Sequence, residues 1–188
     1  KNLDESYFDK KVNQANEQLN FLSKTIDDFK EFYTISKEKE IFSVKDAILN
    51  ATTILSADLK SHNIDLETSF ETFDEVKIFG VKSELSQILI AIISNSIDVL
   101  KNIKNPEIQI GIFSSSAEVI IKLADNGGGI KAKNLKKIFE PYFSTKEEGT
   151  GIGLYLSKMI IEESFGGKIL VENKKEGVLF SLFIEKAL

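Results

Sequence analysis

The chain of 188 residues has no cysteine and no tryptophan, and it has one histidine, one methionine and two prolines. Without cysteine, disulfides and thiolate metal sites are excluded. With a single histidine besides, a zinc centre has none of its usual ligand sets. Basic residues are also short: 24 against 29 acidic ones, a formal net charge of −5 with no local basic stripe. That balance disfavours nucleic acid as a partner. No apolar run approaches the roughly 20 residues of a membrane span. What remains, 42% hydrophobic and 28% charged residues, is the composition of a globular domain with an extension. The first residue is Lys1 rather than methionine, so the sequence is expected to be a piece of a longer protein.

Proline and glycine are absent from residues 3–39, which predict one long helix. Apolar or small residues recur at Phe8, Val12, Ala15, Leu19, Leu22, Ile26, Phe29 and Tyr33. Their spacing is a 3.5-residue period, the seam of helices that supercoil against one another. Phe21 and Phe32 widen the stripe toward that of a bundle. The alternative is a helix folded back on its own domain. The polar segment Ser36-Lys37-Glu38-Lys39-Glu40 then reads as a hinge.

From Ile41 onward, short elements alternate. Strands are predicted at 41–44, 64–70, 76–79, 108–113 and 119–124, with a final hairpin of 168–171 and 178–185 that turns near 173–177. Helices are predicted over 44–61, with Ile48, Ala51, Ile54, Leu55 and Leu59 inward; over 81–102, with Leu85, Ile88, Leu89, Ile92, Ile93, Ile97 and Leu100 inward; and over 152–165. The pattern has no βαβ repeat. It predicts an α+β, two-layer sandwich of one mixed sheet and about three helices, behind a long bundle helix.

Glycine marks the chemistry. Six of the 11 glycines fall in two clusters, Asp125-Asn126-Gly127-Gly128-Gly129-Ile130 and Gly149-Thr150-Gly151-Ile152-Gly153-Leu154. Between them lies Ile138-Phe139-Glu140-Pro141-Tyr142-Phe143-Ser144-Thr145-Lys146. A carboxylate at a strand end followed by bare backbone, as at Asp125, can accept a hydrogen bond from the amino group of a flat ring; the same residues can also form a plain turn. Gly-x-Gly-x-Gly before a helix leaves N–H groups uncovered for a phosphate. It is neither the dinucleotide fingerprint nor a Walker A loop, and a helix-capping loop uses similar residues. Ser94-Asn95-Ser96 interrupts an apolar helix. There Asn95 offers an oxygen to magnesium or bridges backbone groups, while Asp98 reads as a solvent-side residue. Lys146 can pair with a phosphate or be simply solvated. His62 has no carboxylate or nucleophile near it in sequence.

In order and spacing, these motifs resemble the ATP-binding domain of sensor histidine kinases, whose superfamily includes gyrase and the heat-shock chaperone. Residues 86–98 resemble the N box, 125–130 the G1 box, 139–143 the F box and 149–154 the G2 box. The Phe-Ser-Thr-Lys ending at Lys146 is similar to the nitrogen-regulator branch. The resemblance covers about 42–188 and implies ATP and Mg²⁺ as cofactors, with Asn95 as metal ligand and Asn95 and Lys146 as catalytic groups. It implies Asp125 for the adenine amine, with Gly127, Gly129 and Ile130 beside it. Phosphates would meet Gly149, Thr150, Gly151, Ile152, Gly153 and Leu154, with Phe143 and Lys146 from the loop before. Residues 1–40 resemble the second helix of the dimerisation domain, leaving 41–188 as the catalytic domain. The first helix, with the phosphorylated histidine, would precede Lys1. A homodimer through the leading helix, a response regulator receiver domain as partner and a cytoplasmic location follow, with any membrane contact made by other parts. Two departures stand out: Ala91, where many members carry Asn and gyrase-type ATPases a water-activating Glu, and Val178, where Thr is frequent. An anti-sigma-type serine kinase, an ATP-driven clamp and a non-catalytic nucleotide-binding scaffold are the rival expectations.

Overall fold

The computed structural model describes residues 5–33, 38–70, 76–146 and 149–187. Helix α1, Glu5–Tyr33, bears out the leading helix. Along its seam Phe8, Leu19, Leu22 and Ile26 are all more than half exposed, an apolar row facing water. The side chains of Phe21, Phe29, Phe32 and Tyr33, and residues 34–37, among them Ser36 and Lys37 of the hinge, lie outside the described residues.

Strand β1 (Glu40–Ser43) pairs antiparallel with β3 (Lys77–Gly80), so Ile41 stands opposite Phe79 and Phe42 opposite Ile78. Phe42 and Ile78 are buried while Ile41 and Phe79 face solvent, the alternation of a half-buried ribbon. These two strands make a small sheet of their own, rather than joining the single sheet that the sequence predicts. Only the pairing partner distinguishes the two cases, and strand patterns do not carry it.

The predicted 44–61 helix is two helices, α2 (Val44–Ile54) and α3 (Ser56–Ser61), broken at Leu55. The buried stripe runs through Val44, Ala47, Ile48, Ala51 and Leu55, and Ile54 is 58% exposed rather than inward. Ile54 lies two turns beyond Ala47, on the edge of that stripe and at the last residue of α2.

The main sheet has the order β2-β4-β5-β7-β6. Strands β2 (Asp65–Phe70) and β4 (Glu107–Ser114) run parallel. Strand β5 (Glu118–Asp125) pairs antiparallel with β4 and with β7 (Val178–Glu185), which pairs antiparallel with β6 (Lys168–Asn173). Val119, Ile121 and Leu123 of β5 and Phe180, Leu182 and Ile184 of β7 are buried. Against that face lies α4 (Lys82–Leu100), which packs on α2, α6 (Gly153–Glu163), β4 and β5. All seven of its expected inward residues are buried. By length and composition α4 could also cross a membrane, but over half of it is inside this core. One short helix, α5 (Ala132–Leu135), interrupts the loop between the glycine clusters, where the sequence shows no periodic signal.

Candidate nucleotide site

About two turns of α4, from Ala91 to Val99, face both glycine clusters and Lys146. Ala91 Cβ lies 3.7 Å from where a Cβ on Gly153 would stand. Asn95 Oδ1 accepts a hydrogen bond from Lys146 Nζ at 2.8 Å, and Ser96 Oγ donates to Asp125 Oδ2 at 3.0 Å. Val99 fills the space a Cβ at Gly127 would need, at 2.6 Å. Steps of three and four along the helix place these residues on one side of it. Ser94, the third polar residue of the interruption, points to solvent.

At the β5 end, Asp125 is partly buried and its other oxygen accepts from the Gly127 amide at 2.9 Å. A carboxylate fixed at both oxygens is aimed rather than free to rotate, and each oxygen keeps capacity for a further donor. Asn126 locks the adjoining backbone: its side chain accepts from the Glu107 amide at 2.9 Å and donates to the Asn105 carbonyl at 2.8 Å. Gly128 and Gly129 take φ +87° and +84°, left-handed backbone that suits glycine. Asn173, at the end of β6, clamps Ile130 with two bonds, accepting from its amide at 2.8 Å and donating to its carbonyl at 2.7 Å. Gly177 packs so tightly on the Asp125 carbonyl and Asn126 Cα that a Cβ there has no room. Val178, opposite Asp125 in the β5–β7 register, is buried and apolar, so it supplies no side-chain hydrogen bond.

The other end is built on loop and helix start. Ser144 Oγ donates to the Lys146 carbonyl and accepts from its amide, at 3.2 and 3.0 Å, and a Cβ on Gly149 would press on Ser144. Gly151 has φ +68°, with the Tyr142 and Phe143 backbone 2.5–2.6 Å from where its Cβ would lie. Thr150 is buried and Ile152 has no exposed surface, so Ile152 anchors the loop in the core. Phe143 and Leu154 pack on the core from partly buried positions. Gly153 opens α6, whose first amides carry the positive end of the helix dipole.

Asp98, read from sequence as a solvent-side residue, is bound from both sides: Lys146 Nζ lies 2.6 Å from Oδ2 and Lys101 Nζ 2.6 Å from Oδ1. Burial works against its charged form, but hydrogen bonds and charge from the two lysines outweigh that and hold its pKa below the ordinary aspartate value. Ser96 and Asn173 were likewise missed as site builders. Ser96 stood beside Asn95 in the polar interruption, a usable signal; nothing local marks Asn173. His62 is engaged at the end of α3, its Nδ1 2.9 Å from both Ser61 Oγ and the Asp58 carbonyl. Among the described residues no group of three or more His, Cys, Asp or Glu could hold a metal, so any cation here leans on few protein oxygens. That is how magnesium binds when phosphates complete its shell, and Asn95 Oδ1, already holding an ammonium, fits that role.

A strand-end carboxylate, a bare-backbone loop before a helix and a polar turn between them, on a two-layer α/β sandwich, define a nucleotide-binding domain. Residues 80–188 match the family of histidine kinase-, DNA gyrase B- and HSP90-like ATPases, and the chain belongs to that family. Sporulation kinase C of Bacillus subtilis is 29% identical over 141 residues, 75% of this chain and 32% of that protein. The C4-dicarboxylate transport sensor DctB of Rhizobium meliloti is 32% identical over 114 residues, 61% of this chain and 18% of that protein. The catalytic domain of histidine kinase ThkA superposes with TM-score 0.72 at 29% identity, covering 79% of this chain and 98% of that domain. The chain thus spans a third or less of these two curated relatives.

Proposed function

We propose that the chain is the catalytic part of a sensor histidine kinase, which moves the γ-phosphoryl group of ATP to a histidine of another helix and thence to an aspartate of a response regulator. The observation that carries this reading is the convergence of Lys146, Asp125, Gly127 and Gly153 on one side of α4, between Ala91 and Val99. Asp125 would accept the adenine amine, the amides around Gly149–Gly153 would hold the phosphates, and Asn95 would hold magnesium. Magnesium supplies charge neutralisation at the phosphates; the chain's share is positioning, which dominates phosphoryl transfer. In the transfer, the bond from the γ-phosphorus to the β–γ bridging oxygen breaks, ADP leaves, and a bond to an imidazole nitrogen forms.

Ala91 favours transfer over hydrolysis. It occupies the turn facing Gly153 and has no group to activate water. The exposed seam of α1 supports homodimerisation through that helix, since so regular an apolar row is otherwise costly to leave in water. ThkA, whose catalytic domain is 29% identical, is also solved with the response regulator TrrA, which supports a receiver domain as partner. The domain would work in the cytoplasm, in a protein that other segments could anchor to a membrane.

Labelled ATP tests the reading. Incubated alone, this chain should take up no phosphate; mixed with a separate helix fragment carrying the histidine, it should label that fragment. Label on this chain itself, or none on the fragment despite ATP binding, would favour the serine kinase or the scaffold instead.

A further inference from the structure

Asn95 and Asp98 lie one turn apart on α4, and a single ammonium, that of Lys146, serves both: 2.8 Å to Asn95 Oδ1 and 2.6 Å to Asp98 Oδ2. A hard divalent cation seeks such oxygens, and lysine is a compact charge on a flexible stem that can leave them. The ammonium is not a stray surface contact. Its backbone is held by Ser144 on both sides, and Gly149, the first residue of the phosphate loop, packs on that same Ser144. Moving Lys146 therefore disturbs the loop that would meet the phosphates. Asp98 Oδ1 stays paired with Lys101 in any case, so only Oδ2 changes hands.

We propose that Lys146 is a tethered stand-in for the nucleotide's magnesium. Its ammonium holds the Asn95–Asp98 oxygen pair; on binding magnesium-ATP, Asn95 and Asp98 would exchange the ammonium for the metal and Lys146 would turn to the phosphates. Asp98 is thereby a positioning residue that the two cations use in turn. This rests on the magnesium-ATP reading and adds Asp98 to it. The physical reason is charge: an Asp98 carboxylate deserted by Lys146 beside a polyphosphate is a like-charge contact, and a divalent cation between them removes it. Without magnesium, ATP must either leave that repulsion in place or do without the lysine.

The test is calorimetric titration of the 188-residue chain with ATP, once with Mg²⁺ and once with EDTA, read as the ratio of the two dissociation constants. Asp98→Asn should lower the magnesium dependence by about threefold or more, since the repulsion and a metal-side oxygen disappear together. Lys146→Met should raise it by a similar factor, because only magnesium is then left to neutralise the phosphates. Lys82→Ala, which breaks an ion pair with Asp46 at the other end of α4, should keep the ratio within about twofold of the parent. Opposite movements of the first two variants are the signature. A purely structural Asp98 would shift both constants together and leave the ratio unchanged, which overturns the proposal. Should Asp98→Asn fail to fold, Lys146→Met decides alone: a ratio that stays or falls overturns it. A parent chain that binds no ATP in either condition removes the nucleotide reading itself, and this inference with it.

Discussion

At the Asp125 end of the site, the chain is held by strand pairing, by four hydrogen bonds from the Asn126 and Asn173 side chains to backbone, and by Gly177 wedged against the Asp125 backbone. At the Lys146 end it is held by one serine turn, by the exposed Lys146 ammonium on Asn95 and Asp98, and by Thr150 and Ile152 buried just before α6. Backbone bonds within a sheet are lost only when the sheet opens, whereas an exposed ion pair of this kind contributes about 0–1 kcal/mol. The difference implies a division of labour. The ring-reading end is preformed, and the phosphate end is free to rearrange around its ligand, as loops that close on nucleotides must.

Replacing a glycine at each end is the sharpest way to test that contrast. Gly177→Ala puts a methyl group against the Asp125 carbonyl and Asn126 Cα, backbone that cannot step aside. A loss of about 3 kcal/mol or more is expected, which in a chain of this size lowers the melting temperature by about 6–12 °C. A midpoint within a degree of the parent would show that the ring-reading end is softer than its contacts imply.

Asn126→Ala should come next. It removes the hydrogen bonds to the Glu107 amide and the Asn105 carbonyl, at about 1–3 kcal/mol for the pair, measurable by urea unfolding. Gly149→Ala should cost least, about 1 kcal/mol of stability, because its nearest obstacle is Ser144 Oγ, which can rotate away, and the Lys146 and Ser144 Cβ atoms at 3.1 and 3.3 Å need give only slightly. Its effect should appear instead as altered ATP affinity. Were Gly149→Ala to unfold the chain as readily as Gly177→Ala, the division between a rigid and a yielding end would be lost.

How much of this was legible beforehand depends on which residues do the work. The inward face of α4, the strand ends at Asp125 and the start of α6 follow from apolar spacing and glycine placement, both local in sequence, and the structure has them where expected. The break at Leu55 was not legible, because Ile48, Ala51, Leu55 and Leu59 keep a helical rhythm straight through it. Nor was the separate β1–β3 ribbon, whose partner choice is tertiary. Among site builders, Asn173 and Asp98 were invisible for the same reason: each is polar, on the edge of a regular element, and meaningful only beside Ile130 or Lys146. Gly177 was legible as a turn residue, but its close approach to Asp125 is a fact of the folded sheet. The α1 seam differs again, since its period is plain in sequence and its described apolar residues, Phe8, Val12, Leu19, Leu22 and Ile26, are exposed in the single chain.

The most direct measurement is the affinity of this chain for magnesium-ATP beside that of Asp125→Asn. The parent should bind, and the variant should bind at least about tenfold more weakly, because an amide in place of a charged, doubly anchored acceptor gives up about 1.5–3 kcal/mol. Equal affinities in two folded proteins would contradict a site that reads the adenine ring through Asp125.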